Sequence, residues 1–107
     1  KSCDYSDFGH ALGSAIDNGD VDLGVAFCGS GNGISMTLNK HQKVRAALCW
    51  GTELARLAKA HNNANVLVMP ARFISYQMAT TILNKWLTTE FEGGRHERRI
   101  EKIPLCK

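Results

Sequence analysis

The twelve residues from Gly24 to Ser35, reading Gly-Val-Ala-Phe-Cys-Gly-Ser-Gly-Asn-Gly-Ile-Ser, constrain this chain more than any other stretch. Val25, Ala26 and Phe27 form a short apolar run of the kind that fills a strand buried on both faces. Glycines then alternate at Gly29, Gly31 and Gly33 ahead of a helix expected over about Ile34 to Lys40. A strand, a bare-backbone loop and a helix start follow in that order. Without Cβ atoms the loop amides can close on a ligand, and the helix N-terminus behind them favours negative charge, so an anion is the expected guest. Cys28 ends the strand, where its sulfur would border that pocket as a nucleophile or base. A cysteine at a strand end is also, ordinarily, a small buried hydrophobe. The loop lacks the Gly-Lys-Ser/Thr ending of a P-loop, and its third glycine comes one residue too early for Gly-x-Gly-x-x-Gly, which disfavours nucleotide binding.

At 107 residues with 44% hydrophobic content, the chain suits one small domain with one core. The net charge of +3 is mild, and no basic, aromatic-interleaved motif points to nucleic acid. Cysteines at 3, 28, 49 and 106 include no Cys-x-x-Cys, and histidines at 10, 41, 61 and 96 lack metal-ligand spacing, so neither a metal nor a disulfide framework is expected. No stretch is long and apolar enough to span a membrane and no leader pattern opens the sequence, which makes the cytoplasm, with reduced thiols, the expected location.

Apolar spacing predicts a helix over Asp4 to Asn18, with Ser6 as N-cap, Phe8, Ala11, Leu12, Ala15 and Ile16 on its inner stripe, and His10 solvated. A second strand is expected over Val44 to Cys49. Thr52 would cap the next helix, Leu54, Leu57 and Ala58 would face inward, and His61-Asn62 follow at its end. Asn65 to Met69 reads as a third strand ended by Pro70. Ser75 caps a helix running to about Thr88 whose apolar face comprises Met78, Ala79, Ile82, Leu83, Trp86 and Leu87. After Gly93-Gly94 comes a basic tail that, if helical, sets Arg95 and Arg99 on one side; a solvated charged tail is the plainer reading. Alternating helices and strands predict a parallel α/β sheet with helices on both faces and functional groups at the strands' C-terminal ends. Cys28, Cys49 and Arg72 meet that rule. His61 closes a helix and precedes a strand, so it belongs on the opposite rim, and one chain struggles to join it to Cys28.

Taken in order, Asp4-Tyr5, the Cys28-Gly-Ser-Gly-Asn-Gly-Ile-Ser loop, Asn39-Lys40, His61-Asn62 with Asn65-Val66-Leu67, Arg72, and Phe91-Glu-Gly-Gly-Arg-His with Arg99 resemble the type B ribose-5-phosphate isomerases and the related galactose-6-phosphate isomerase subunits. The resemblance runs from about Asp4 to Ile103. It implies a three-layer, Rossmann- or flavodoxin-like doubly wound sheet, and an aldose–ketose isomerase that needs no metal or organic cofactor. It also implies a homodimer or tetramer whose sites draw on two subunits, with the basic tail at 93–107 near the subunit interface. Cys28 would then move the proton between C2 and C1 of the opened sugar, with the amides of Gly29, Gly31, Asn32 and Gly33 holding the enediolate oxygen and Ser30 orienting the base or a hydroxyl. His61 would serve ring opening, Asn62 would bind sugar oxygens, Tyr5 would line the site, and Arg72, Arg95 and Arg99 would take the phosphate.

Two departures stand out. Ser6 occupies a position where proline usually follows the Asp-Tyr pair, which should alter only the helix start. Members of the family also carry a strand, a helix and a second strand ahead of the Asp-Tyr region, with an Asp-His pair after the first strand that assists ring opening and substrate binding. The expectation is therefore a larger part of a longer isomerase, with an apolar strand edge left bare beside Cys28. Ribose 5-phosphate is the default substrate, galactose or allose 6-phosphate an alternative. A non-catalytic sugar-phosphate-binding remnant is a second reading, and a thiol redox protein using Cys28 and Cys49 on neighbouring strands is a third.

Overall fold

The computed structural model of the chain describes residues 4–105. Its elements run α1 (Tyr5–Asp17), β1 (Gly24–Cys28), α2 (Asn32–Leu38), β2 (Ala46–Leu48), α3 (Thr52–Ala60), β3 (Val66–Pro70), α4 (Tyr76–Thr88) and α5 (Arg95–Glu101). The three strands are parallel in the order β1-β3-β2, with Cys28 opposite Pro70 and Leu48 opposite Val68. This is the expected α/β sheet. None of the described helices is long and apolar enough to cross a membrane.

All five residues of β3 are buried, and its side chains alternate between two cores as strand geometry requires. Val66 and Val68 join Ile16, Ala26, Ile34, Leu38 and Val44 beneath α1 and α2. Leu67 and Met69 join Ala55, Ala58, Ala79, Ile82 and Trp86 beneath α3 and α4. Lys59 lies 4.7 Å from the Trp86 ring centroid and donates to the Trp86 carbonyl at 3.1 Å, so its stem covers the core while its charge stays near the surface.

Several local expectations shift. Asp4 caps α1, its amide donating to the Asp7 carboxylate at 3.3 Å, so Ser6 lies inside the helix. The buried face of α1 is Gly9, Gly13 and Ile16, and Phe8 is 61% exposed. The reason is contact with the segment around α2: a Cβ on Gly9 would come 2.8 Å from Thr37 Cγ2, and one on Gly13 would sit 2.6 Å from His41 Cγ. Small residues let two backbones approach, which apolar periodicity alone misreads. The α2 helix begins at Asn32, two residues early, because Gly31 adopts a left-handed φ of 84° that turns the chain straight into it. Gly51 rather than Thr52 is the N-cap of α3; Leu54 is exposed there, as are Met78 and Leu87 on α4. Ser75 does cap α4, accepting from the Met78 amide at 3.0 Å.

Two asparagines extend β2 beyond its short ladder. The Asn39 side chain accepts from the Ala46 amide at 2.8 Å and donates to its carbonyl at 3.0 Å. Asn65 accepts from the Arg45 amide and donates to the Lys43 carbonyl, both at 2.8 Å. Each amide group imitates a neighbouring strand. Strand β1 pairs with β3 alone among the described residues, and Val25 and Phe27 stand 39% and 55% exposed, matching the bare apolar edge expected there. Beside it lies an apolar groove of about 420 Å³ lined by Phe27, Met69, Ile74, Ala79 and Leu83.

Candidate functional site

Eight of the twelve expected site residues assemble at the C-terminal ends of the strands. Cys28 ends β1 half-buried, against the α1 and α2 side of the sheet. Its carbonyl accepts from the Ala71 amide at 2.8 Å, and the Gly29 carbonyl accepts from the Arg72 amide at 3.0 Å, so the loop after β1 and the loop after β3 are bonded together. The Arg72 side chain lies along Gly29, where a Cβ would stand 3.2 Å from its Nε. Ser30 Oγ accepts from the Asn32 amide at 3.3 Å and shapes the turn into α2. The Tyr5 ring packs on Gly33, where a Cβ would fall 2.6 Å from Tyr5 Cε1 and Cζ. Thus Tyr5, Cys28, Gly29, Ser30, Gly31, Asn32, Gly33 and Arg72 share one rim. A hollow of about 430 Å³ opens beside them, lined by Ser30, Asn32, Leu48, Trp50, Pro70 and Phe73. Thiol, glycine amides, guanidinium and hydroxyls in one place suit a small anionic, hydroxyl-bearing ligand.

The other candidates stand on the opposite rim. His61 follows the last residue of α3, five positions before β3 begins, while Cys28 is opposite the residue that ends β3. Four rises along β3 already separate the rims by about 13 Å. One copy does not bring His61 to Cys28. Arg45 braces this second cluster, its guanidinium donating to the carbonyls of Asn62 at 3.2 Å and Asn63 at 2.9 Å. Burial of the Arg45 guanidinium lowers its pKa from the ordinary arginine value. Asn63 takes a left-handed φ of 46° in this turn. The tail is helical over Arg95–Glu101, and Arg95 and Arg99 are four apart and exposed on it. Residues 106 and 107 of the basic tail lie outside the described residues.

Sequence reasoning gave no role to Glu92, His96 or Arg45, although the first two stand in the Phe91-Glu-Gly-Gly-Arg-His motif. The Glu92 amide donates to the Ala60 carbonyl at 2.9 Å, which sets its carboxylate beside His61. The His61 and His96 rings stack with centroids 4.2 Å apart, and their Nε2 atoms lie 3.6 and 3.5 Å from Glu92 Oε1. No spacing rule joins residues 61, 92 and 96; an Asn-Asn turn after one helix and a Gly-Gly turn before another bring them together. His10, expected to be solvated, is exposed but bonds His41 Nε2 at 2.8 Å, and His41 Nδ1 faces Asp17 at 3.2 Å.

Cys49 is almost fully buried, and burial pushes its thiol up to about 11, so it stays protonated and inert at neutral pH. The redox reading put Cys28 and Cys49 on neighbouring strands. Instead β3 lies between their strands, and two strand spacings of about 4.8 Å exceed the Cα separation of roughly 7 Å that a disulfide allows.

Residues 1–103 match the family model described as Ribose/Galactose Isomerase. Ribose-5-phosphate isomerase B of Escherichia coli is 38% identical over 100 residues, covering 94% of this chain and 67% of that protein. The crystal structure of a ribose 5-phosphate isomerase from Thermotoga maritima superposes with a TM-score of 0.93 at 45% identity, covering 97% of this chain and 72% of that one. Ribose-5-phosphate isomerase B from Mycoplasma genitalium, solved with bound ribulose-5-phosphate, gives a TM-score of 0.90 at 43% identity, covering 95% of this chain and 68% of that one. With both rims built from the residues that carry the motif, and sequence and fold agreeing over nearly its whole length, the chain belongs to the ribose/galactose isomerase family.

Proposed function

We propose that this chain is a sugar-phosphate isomerase that interconverts ribose 5-phosphate and ribulose 5-phosphate through a cis-enediolate, with Cys28 as the base. The observation that carries the reading is the Cys28 thiol at the end of β1, beside the glycine loop and with the Arg72 side chain laid along Gly29. A family relative that binds ribulose-5-phosphate supports the substrate class.

The proton on C2 of the open aldose is weakly acidic, so a thiolate at Cys28 needs help from donors aimed at the developing oxyanion. The amides of Gly29 to Gly33 supply them, and losing one such donor typically costs about 10²-fold or more in rate. Cys28 removes the C2 proton, the C1 carbonyl takes up negative charge, and the same proton is returned to C1 while the O2 hydroxyl proton passes to O1. Ser30 orients a sugar hydroxyl or the base, and Tyr5 walls the sugar. Arg72 binds the phosphate as a guanidinium fork.

The opposite rim completes the reaction from a second copy. His61 of one subunit would open the sugar ring over Cys28 of the other, with Asn62 on the sugar oxygens and Arg95 and Arg99 on the phosphate. This homodimeric arrangement, with α5 at the interface, accounts for a distance that one copy leaves unbridged.

The test is to mix the chain with ribose 5-phosphate and follow ribulose 5-phosphate, beside Cys28→Ala and with galactose 6-phosphate and allose 6-phosphate in parallel. Turnover of ribose 5-phosphate that vanishes in Cys28→Ala, with substrate binding retained, is the expected result. Wild-type-like turnover in Cys28→Ala would remove Cys28 from the chemistry, and binding without turnover in the parent chain would favour a sugar-phosphate-binding role.

A further inference from the structure

We propose that His61, Glu92 and His96 form a binding site for one divalent transition-metal ion of the Zn²⁺ or Co²⁺ type. Among the described residues they are the one group of three His, Cys, Asp or Glu side chains whose ligand atoms all lie within 4.8 Å of one another. The two histidine Nε2 atoms stand 3.6 and 3.5 Å from Glu92 Oε1. Those separations are too long for hydrogen bonds, which favour roughly 2.7–3.2 Å. They are close to the ligand-to-ligand edge of about 3.4 Å that follows from four bonds of about 2.1 Å arranged tetrahedrally around zinc. Two imidazoles and one carboxylate, with one position left open, form a donor set that borderline transition ions accept and that hard Mg²⁺ or Ca²⁺ does not prefer.

The backbone holds the three donors in place without a metal. The His61 amide donates to the Leu57 carbonyl at 2.9 Å, the Glu92 amide to the Ala60 carbonyl at 2.9 Å, and the His96 amide to the Gly93 carbonyl at 3.2 Å. Each ligand is therefore anchored at its Cα, and the adjustment required is in side-chain torsions. The rings now lie 13° from parallel, so their Nε2 lone pairs lie in nearly parallel planes. Turning one ring about χ2 makes them converge. His61, with a side chain 38% exposed, has the room, while His96, at 11%, keeps its place. The inference stands on this geometry and does not rest on the isomerase reading. Its consequence within that reading is inhibition, because a metal bound to His61 withdraws that imidazole from sugar-ring opening.

The experiment titrates the reduced chain with CoCl₂ and follows the visible d–d absorption, with ZnCl₂ as competitor. The expected result is one Co²⁺ per chain, displaced by Zn²⁺, without the thiolate charge-transfer band that cysteine ligation produces. Glu92→Gln and His96→Asn should each weaken binding more than about tenfold, since even outer-shell partners of a metal change affinity by that much. His10→Asn, at the separate His10–His41 pair, should bind as the parent does. Glu92 is exposed enough that its glutamine variant should keep the fold, which circular dichroism checks independently of binding. A thiolate band, no binding at millimolar Co²⁺, or unchanged affinity in a folded Glu92→Gln chain would overturn the proposal.

Discussion

Gly31→Ala isolates what the glycine loop requires of its backbone. Gly31 holds a φ of 84°, and a left-handed conformation costs an L-residue about 1–2 kcal/mol. A Cβ there would also overlap Leu48 Cδ1 and come within 3.3 Å of Val68 Cγ1, in the core beneath α2. Overpacking of that kind costs about 1–3 kcal/mol. Restricting the unfolded chain returns about 0.4–1 kcal/mol. The net expectation is a loss of about 3 kcal/mol, measured from urea midpoints at constant slope. Two controls separate the contributions. Gly19 has a φ of 79° but open space around it, so Gly19→Ala carries strain alone and should lose about 1 kcal/mol. Gly51 has an extended backbone and open space but is the N-cap of α3, where alanine caps poorly, so Gly51→Ala carries no left-handed strain and should lose no more than about 1 kcal/mol. In Gly31→Ala/Leu48→Ala the overlap is gone, and the double variant should be more stable than the sum of the singles predicts. If Gly31→Ala costs no more than Gly19→Ala, the close packing of the loop on Leu48 is not a constraint and the reasoning fails.

Asn65→Ala removes an acceptor for the Arg45 amide and a donor to the Lys43 carbonyl, for an expected loss of about 2–3 kcal/mol. Faster hydrogen exchange at the Arg45 amide should accompany it, and unchanged protection there would refute the strand-imitating role. Burial raises the Cys49 thiol from 9.0 to about 11, so the unfolded chain loses this proton first as pH rises. The contribution is intact below pH 9 and is lost between about 9 and 11, an amount on the order of 2–3 kcal/mol. Urea midpoints of the parent and Cys49→Ala should therefore converge over that interval, and a constant gap would contradict the assignment.

The strand and glycine loop around Cys28 and the start of α4 were legible because their signals are local: an apolar run, alternating glycines, a Ser75 cap. The position of His61 on the far rim was also readable, from element order alone. What sequence could not display were contacts made by small or distant residues. Gly9 and Gly13 turn α1 toward Thr37 and His41, which displaces Phe8 from the stripe that periodicity assigns it. Asn39 and Asn65 carry part of the resemblance to the isomerases, yet their observed work is backbone bonding at β2. The Glu92 and His96 pairing with His61 depends on two irregular turns, Asn62-Asn63 and Gly93-Gly94, whose directions no helical or strand period encodes. The order β1-β3-β2 likewise depends on crossovers, and it separates Cys28 from Cys49.

The separation of the two rims by β3 has a genetic consequence under the proposed pairing of copies. A subunit damaged at Cys28 still owns a sound His61 rim, and one damaged at His61 still owns a sound Cys28 rim. Mixed assemblies of two such defective alleles would contain one intact pocket and one doubly broken pocket, so lesions at opposite ends of this strand would rescue each other while two lesions at the same end would not. The buried length of β3, in itself a feature of packing, thereby divides one gene's defects into two complementation groups.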